Sequence, residues 1–436
     1  MADALLACGY ILLFLYLIGK LRFFDAPGLD RRTIGALFLL KVVAGTALWW
    51  VYTYHYDDRA NADIYKFFDD GNILFSALPA HPLDYLRMVT GIGDQAPHIS
   101  REYYEVMNNW YRQFDTGYYN DAHTMIRFNA LVRIFSFGVY HIHTVFASFL
   151  ALIGLVALYK GLAPLVPGMG RAWAAALFLW PSALLWSSGP IKEAPLFLGW
   201  GLFLWQAFRW LQGSLTRRGV VVMALALLLQ LGLKSYVLAC MAPGLVALWW
   251  CRRTGNRLPA LRFGVAYAGA IVLALLLPML SPALDVVAII QQKQRDMLGV
   301  VAAVSPGSFI PTDMMERGVA GLLNEIPHAL YLAFLSPLAT WDIGALGLMG
   351  AAENVLLLTL PLLAVAWRKP WAQVDRPMLF FCISFCLALG LLIGWTTPVV
   401  GAVMRYRVPM LPFLTLAVLL VIDPNKLEGR ALFRKP

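Results

Sequence analysis

Charge is scarce in this chain. Asp, Glu, Lys and Arg make up 14% of its 436 residues, against roughly 25% in soluble domains. Apolar residues make up 60%, more than a soluble core absorbs, so the chain reads as an integral membrane protein. Acid is scarcer than base, and the net charge is +10. The basic residues fall in short clusters between apolar runs, not on a stripe with interleaved aromatics, so no nucleic-acid partner is expected. Cysteine is also scarce. Cys8, Cys240, Cys251, Cys382 and Cys386 lie in or beside apolar runs. Cys382 and Cys386 are one helical turn apart, where a disulfide is geometrically disfavoured, and all five read as small apolar residues. No Lys or Arg precedes Leu5, so no cleaved signal peptide is expected. No G-x-x-x-x-G-K-[ST] occurs, and the connections on the basic side are short. ATP-driven transport by this chain alone, and a cytoplasmic nucleotide-sugar domain, are therefore excluded. Neither a short internal repeat nor an inverted repeat is visible.

What is present is a series of about eleven apolar runs, each long enough for the ~30 Å hydrocarbon layer. They lie near 4–19, 35–54, 140–159, 172–188, 194–211, 219–233, 235–251, 264–280, 351–367, 377–397 and 408–422. The pair around Lys234 could be one broken helix. The predicted fold is an all-α polytopic transmembrane bundle forming a single integral membrane domain, 1–436. Basic residues concentrate in alternate connections: Lys20, Arg22, Arg31 and Arg32; Lys160 and Arg171; Arg209, Arg217 and Arg218; Arg252, Arg253, Arg257 and Arg262; Arg368, Lys369 and Arg376; and Lys426, Arg430, Arg434 and Lys435. The positive-inside rule puts these in the cytoplasm, with the N-terminus outside and the C-terminus inside.

Two long segments, 55–139 and 281–350, then fall on the outer side. "REYYEVMNNWYRQF" (Arg101–Phe114) reads as a helical piece with an aromatic face. "HTMIRFNALVRIFSF" (His123–Phe137) has Met125, Phe128, Leu131, Val132 and Phe135 at helical spacing beside Arg127 and Arg133, the pattern of a helix lying in the membrane interface. Gly318–Trp341 is apolar but broken by Pro327 and Pro337, which predicts a re-entrant or interfacial helix pair.

The outer side also gathers the charges. Asp57, Asp58, Asp63, Asp69 and Asp70 crowd the stretch just after the second run. Lys192 and Glu193, with Ser187 and Ser188, lie at one outer turn, Lys234 at the next, and Arg405 and Arg407 at the outer end of the last span. Charges at a bilayer edge are costly, ~2.5–3.5 kcal/mol each on insertion scales, and an aqueous outer cavity would account for them. Its carboxylates could serve as general base, and its Lys and Arg could hold an anionic phosphate leaving group. The clustered carboxylates leave room for Mg²⁺ or Mn²⁺, with no definite metal site or cofactor assigned. Lys41, inside the second run, is expected to snorkel. Glu353 is expected at the interface. His141 and His143 have no ligand-spaced companions for a metal.

This arrangement resembles the GT-C-like polytopic membrane glycosyltransferases and glycan polymerases of bacterial type. The closest stretch is "ADIYKFFDDGNILFSALPAHPLDYL" (Ala62–Leu86), similar to that family's Asp, following Tyr, helix and Pro-containing turn. "WPSALLWSSGPIKEAP" (Trp180–Pro195) and "MRYRVPMLP" (Met404–Pro412) also look like stretches of such proteins. Two runs precede the acidic loop here, where family members have one. The resemblance implies a polyprenyl-phosphate-linked sugar donor, and a glycan or protein acceptor, at the outer face of the inner membrane. Asp63, Asp69 and Asp70 are then the catalytic candidates. Asp57, Asp58, Tyr65, Lys192, Glu193, Lys234, Arg405 and Arg407 are the substrate-binding candidates. A polymerase or ligase acting on lipid-linked oligosaccharides is the near alternative. A secondary transporter, a flippase or a non-catalytic membrane scaffold are the alternatives of another class.

Overall fold

The computed structural model describes residues 2–54, 59, 62–111, 119–337 and 344–428. In chain order its main helices are α1 (Ala2–Lys20), α2 (Arg31–Tyr54), α3 (Asp63–Phe75), α4 (Pro82–Thr90), α5 (Ala122–Ser136), α6 (Tyr140–Leu162), α7 (Gly170–Phe178), α8 (Pro181–Trp186) and α9 (Glu193–Leu211). They continue as α10 (Arg217–Leu231), α11 (Ser235–Arg253), α12 (Pro259–Leu276), α13 (Val286–Val304), α14 (Ile326–Leu330), α15 (Gly344–Ala366), α16 (Arg376–Thr396), α17 (Val400–Tyr406) and α18 (Leu411–Val421). Among the described residues there is no strand, only isolated bridges.

Among the described residues seven helices are long and apolar enough to cross a membrane: α1, α2, α6, α11, α12, α15 and α16. The pair α17–α18, bent by 59°, qualifies together as one more. The count of about eleven is thus not reached on length and hydropathy. The 172–188 run is split into α7 and α8 ahead of Pro181, because proline cannot continue the helix before it. The 219–233 run forms a helix of only 15 residues. The 194–211 run is helical throughout, but Trp, Gly and Gln dilute its apolarity. Around Lys234 the chain forms two helices, one ending at Leu231 and the next starting at Ser235.

The chain divides into two compact units. The first comprises 1–162 and 184–235, the second 163–183 and 236–436. In the first, α6 is buried along most of its length against α9. Gly154 faces the Phe197 carbonyl and Gly201 faces the Gly154 backbone, leaving no room for a Cβ at either. Such small-residue contacts let apolar helices approach closely where water provides no hydrophobic drive. Phe14 of α1 stacks on Phe149 of α6 at 4.2 Å.

Lys41 does not snorkel. It is 1% exposed, and its Nζ donates to Ser187 Oγ at 2.6 Å and Ser188 Oγ at 3.1 Å. Together with the Ser148 hydroxyl, 3.0 Å from the Ser188 carbonyl, this holds the irregular turn that follows α8. Non-helical backbone in an apolar setting needs such internal partners.

The helix expected over 123–137 is α5. It packs on α3, and Gly71 is pressed against Asn129, so closely that a Cβ on Gly71 would stand 2.8 Å from that of Asn129. Where α5 meets α6, His143 Nδ1–H donates to Asn129 Oδ1 and His143 Nε2 accepts from Ser136 Oγ, both at 2.8 Å. Of the 101–114 stretch, the described residues 101–111 are helical over Ser100–Tyr104 and then turn. Tyr103, Tyr104 and Trp110 are buried: Tyr104 stacks on Trp110, and Trp110 on His123, each at 3.8 Å.

In the second unit α16 is central. Phe381 and Phe385 pack edge-on to Phe413 of α18, and Cys382 and Cys386 are buried thiols. The apolar 318–341 stretch gives Val319–Asn324 and a short apolar helix over Ile326–Leu335, with Pro327 in the latter's first turn. α13 presents Gln291 and Gln294 to the 313–318 backbone, which they bind through both amide groups.

Candidate functional site

α3 follows the apolar α2 and sets the geometry of the acidic stretch. Ile64, Tyr65, Phe67, Phe68 and Leu74 are buried. Asp63, Lys66 and Asp69 recur every third residue, and this spacing keeps them on one side of a helix. They form its partly exposed stripe.

Asp63 opens α3, with its side chain 36% exposed and Oδ1 3.7 Å from Lys66 Nζ. Asp69 is held by Arg59, whose Nη2 and Nε donate to the two carboxylate oxygens at 2.8 and 3.1 Å. This two-point hydrogen bond raises the Arg59 pKa. The Arg59 guanidinium also lies 3.8 Å over the Tyr65 ring. Tyr65 is buried, and its hydroxyl shares a 2.5 Å hydrogen bond with Thr53 Oγ1 at the end of α2. Tyr65 therefore ties α3 to the helix before it.

Asp70 points the other way. It is fully buried, and its carboxylate accepts the Asn108 N–H at 3.0 Å, the Asn109 N–H at 2.9 Å and Asn109 Nδ2 at 3.1 Å. Burial raises its pKa against the lowering effect of these donors. Both oxygens are engaged in fixing the 105–111 turn, which is a positioning role rather than that of an open base. Asp57 and Asp58 lie outside the described residues.

The basic candidates of the first unit divide in the same way. Lys192 Nζ is 2.9 Å from Asp121 Oδ2 and 5.2 Å from the centre of the Phe67 ring. It therefore stands over α3, next to the start of α5. Lys234 and Glu193 form an ion pair of 2.6 Å, with side chains 3% and 0% exposed. Thr124 Oγ1 donates to the Gly232 carbonyl at 2.5 Å, which fastens α5 to the turn that carries Lys234.

Arg405 and Arg407 belong to the second unit. Both are buried. Arg407 Nη2 donates to Glu353 Oε1 at 2.8 Å, and Nη1 to Asn354 Oδ1 at 2.6 Å. Glu353 is fully buried inside the protein, and also accepts the Ser182 N–H and hydroxyl, each at 2.9 Å. The Arg407 guanidinium thus joins α8, α15 and the α17–α18 bend.

Asp63, Tyr65, Asp69 and Lys192 are therefore gathered around α3, whereas Asp70, Glu193, Lys234 and Arg407 are engaged in buried networks. Sequence reasoning passed over Arg59, Asp121 and the Asn108–Asn109 pair. Asp121 had a legible signal, an "ND" just ahead of an apolar-periodic helix. The other two had none: Asp70 lies 38 and 39 residues from the asparagines, and the ten-residue separation of Arg59 and Asp69 matches no helical spacing that pairs side chains. Among the described residues no three His, Cys, Asp or Glu side chains gather to hold a metal ion. Compared with family models, curated proteins and solved structures, the chain has no significant match.

Proposed function

We propose that the protein is a membrane glycosyltransferase that takes a sugar from a polyprenyl-phosphate carrier at the outer face of the bacterial inner membrane. The observation that carries this reading is the α3 stripe. A partly exposed carboxylate, Asp63, stands at the start of a helix that directly follows an apolar helix, with Lys66, Arg59 and Lys192 around the same helix. Asp63 would accept or orient the proton of the acceptor hydroxyl as its oxygen attacks the anomeric carbon. The bond to the lipid-phosphate oxygen breaks, and the phosphate leaves as an anion stabilised by nearby cations. On this reading the N-terminus is outside, the C-terminus is cytoplasmic, and the α7–α8 pair, α9 and α10 also lie within the bilayer, bringing the segments to about eleven.

A secondary transporter is the second reading, favoured by ionisable groups buried among apolar helices, Lys41 and Arg407, which are the usual marks of an intramembrane pathway. Both have fixed partners here. The test is to reconstitute the protein in liposomes with polyprenyl-phosphate hexoses and an acceptor pool. Release of free polyprenyl phosphate supports the transferase. Movement of the intact lipid between leaflets without release supports the transporter.

A further inference from the structure

Two arginines stand on α5, and among the described residues only one is neutralised. Arg127 Nη2 is 3.2 Å from Asp94 Oδ2, and its Nε donates to the Met88 carbonyl at 2.8 Å. Arg133 forms no ion pair among the described residues, and its enclosed Nη1 donates to none of them. Its guanidinium lies 5.5 Å over the Phe68 ring and 6.0 Å over the Phe75 ring, both on α3. Burial lowers its pKa, and the Asp69 carboxylate acts in the opposite sense. Asp69 is already held by Arg59. Asp69, bound by Arg59, is thus also the carboxylate that acts on Arg133, and among the described residues Arg133 has no carboxylate of its own.

The surroundings indicate what that charge would meet. Gly138, at φ +90°, leaves the space into which the guanidinium extends; a Cβ there would stand 2.8 Å from Arg133 Nη2. Phe137, beside it, is 79% exposed. Two residues after Gly138 begins α6, an apolar helix long enough to cross a membrane. An arginine with no ion pair among the described residues, at the mouth of an apolar helix and flanked by an exposed aromatic, suits an anion that carries a hydrocarbon chain. Guanidinium matches phosphate oxygens in a two-point geometry that ammonium cannot reproduce.

We infer that Arg133 seats the phosphate of a lipid phosphate at the α3–α5 crease. The inference rests on the function proposed above, and it assigns the phosphate to a residue in the same unit as Asp63.

The test uses the full chain in detergent and measures binding of polyprenyl monophosphate by native mass spectrometry, with polyprenol, phosphatidylglycerol and inorganic phosphate as comparisons. The wild type should bind polyprenyl monophosphate about tenfold to a hundredfold more tightly than polyprenol, the value of one charge-assisted contact. Arg133→Gln should remove that preference, and Arg133→Lys should restore part of it. Unchanged preference in a folded Arg133→Gln protein overturns the inference, as does equally tight binding of polyprenol, phosphatidylglycerol or inorganic phosphate. If Arg133→Gln does not fold, Arg133→Lys and the wild-type comparison keep the test: no preference over polyprenol in the wild type, or an undiminished one in folded Arg133→Lys, overturns the inference. The two readings fail separately. Arg133-dependent binding without sugar transfer keeps the seat and removes the transferase. Asp63-dependent transfer with binding indifferent to Arg133 does the reverse.

Discussion

Glu193 and Lys234 are 41 residues apart in sequence and 2.6 Å apart in space, and neither side chain is more than 3% exposed. Removing two charges from water costs several kcal/mol per ion, which mutual attraction only about repays. The pair is therefore expected to specify how the turn before α9 meets the turn after α10, more than to add net stability. Either Glu193→Gln or Lys234→Met alone should destabilise by about 3–5 kcal/mol, because each strands a buried charge. Glu193→Gln with Lys234→Met should cost clearly less than the two single changes added together. Thermal unfolding of the four proteins in detergent checks this. Additive losses would mean the two groups are not coupled.

Asp70 gives a pH signature. Its raised pKa means the native chain holds this proton more tightly than the unfolded chain does. Its contribution is full below the ordinary carboxylate value of about 4 and is lost as pH rises through the raised native value. Asp70→Asn cannot titrate. The stability of wild type relative to Asp70→Asn should therefore fall as pH rises from about 4 towards neutrality. A difference that stays level or grows would contradict this. Hydrogen exchange at Asn108 and Asn109 should speed up in Asp70→Ala, which removes the acceptor of both N–H groups.

Gly71 sets the contact between α3 and α5. A methyl group there would meet Asn129 Cβ at 2.8 Å and the Ile126 carbonyl at 3.1 Å. Overpacking of this kind typically costs about 1–3 kcal/mol. Gly71→Ala should lower the unfolding temperature and reduce any activity that depends on α3, whereas Gly269→Ala, where a Cβ meets nothing, should do neither.

Arg407 reaches Glu353 and Asn354 at once, and this needs a planar fork. Arg407→Lys keeps the charge but not the fork, and should still destabilise the protein by about 1.5–3 kcal/mol, the value of one hydrogen bond to a charged group. An unfolding temperature equal to that of wild type would show that charge alone suffices.

The helices were legible because their signals are local. Apolar length located the spans, and the 3.6-residue spacing of Met125, Phe128 and Val132 located α5 almost to the residue. The segment count was less legible, since a run such as 172–188 has the composition of a span while Pro181 divides it. The site was legible as a list of charges but not as pairings. That Asp69 would engage Arg59, Asp70 two asparagine N–H groups and Arg407 a glutamate 54 residues earlier depends on tertiary packing that sequence spacing does not encode. Lys41 shows the same limit. Its position near a span end suggests snorkelling, but the partners that keep it inside lie 146 and 147 residues away.

The most direct measurement is the release of polyprenyl phosphate by wild type, Asp63→Asn and Asp69→Asn in liposomes supplied with polyprenyl-phosphate hexoses and acceptor. Wild type should release it, and Asp63→Asn should be slower by about 10²–10⁴-fold, the usual contribution of a positioned acid–base group, with its unfolding temperature unchanged. Release by Asp63→Asn at the wild-type rate, or no release by wild type from any donor, would contradict the account.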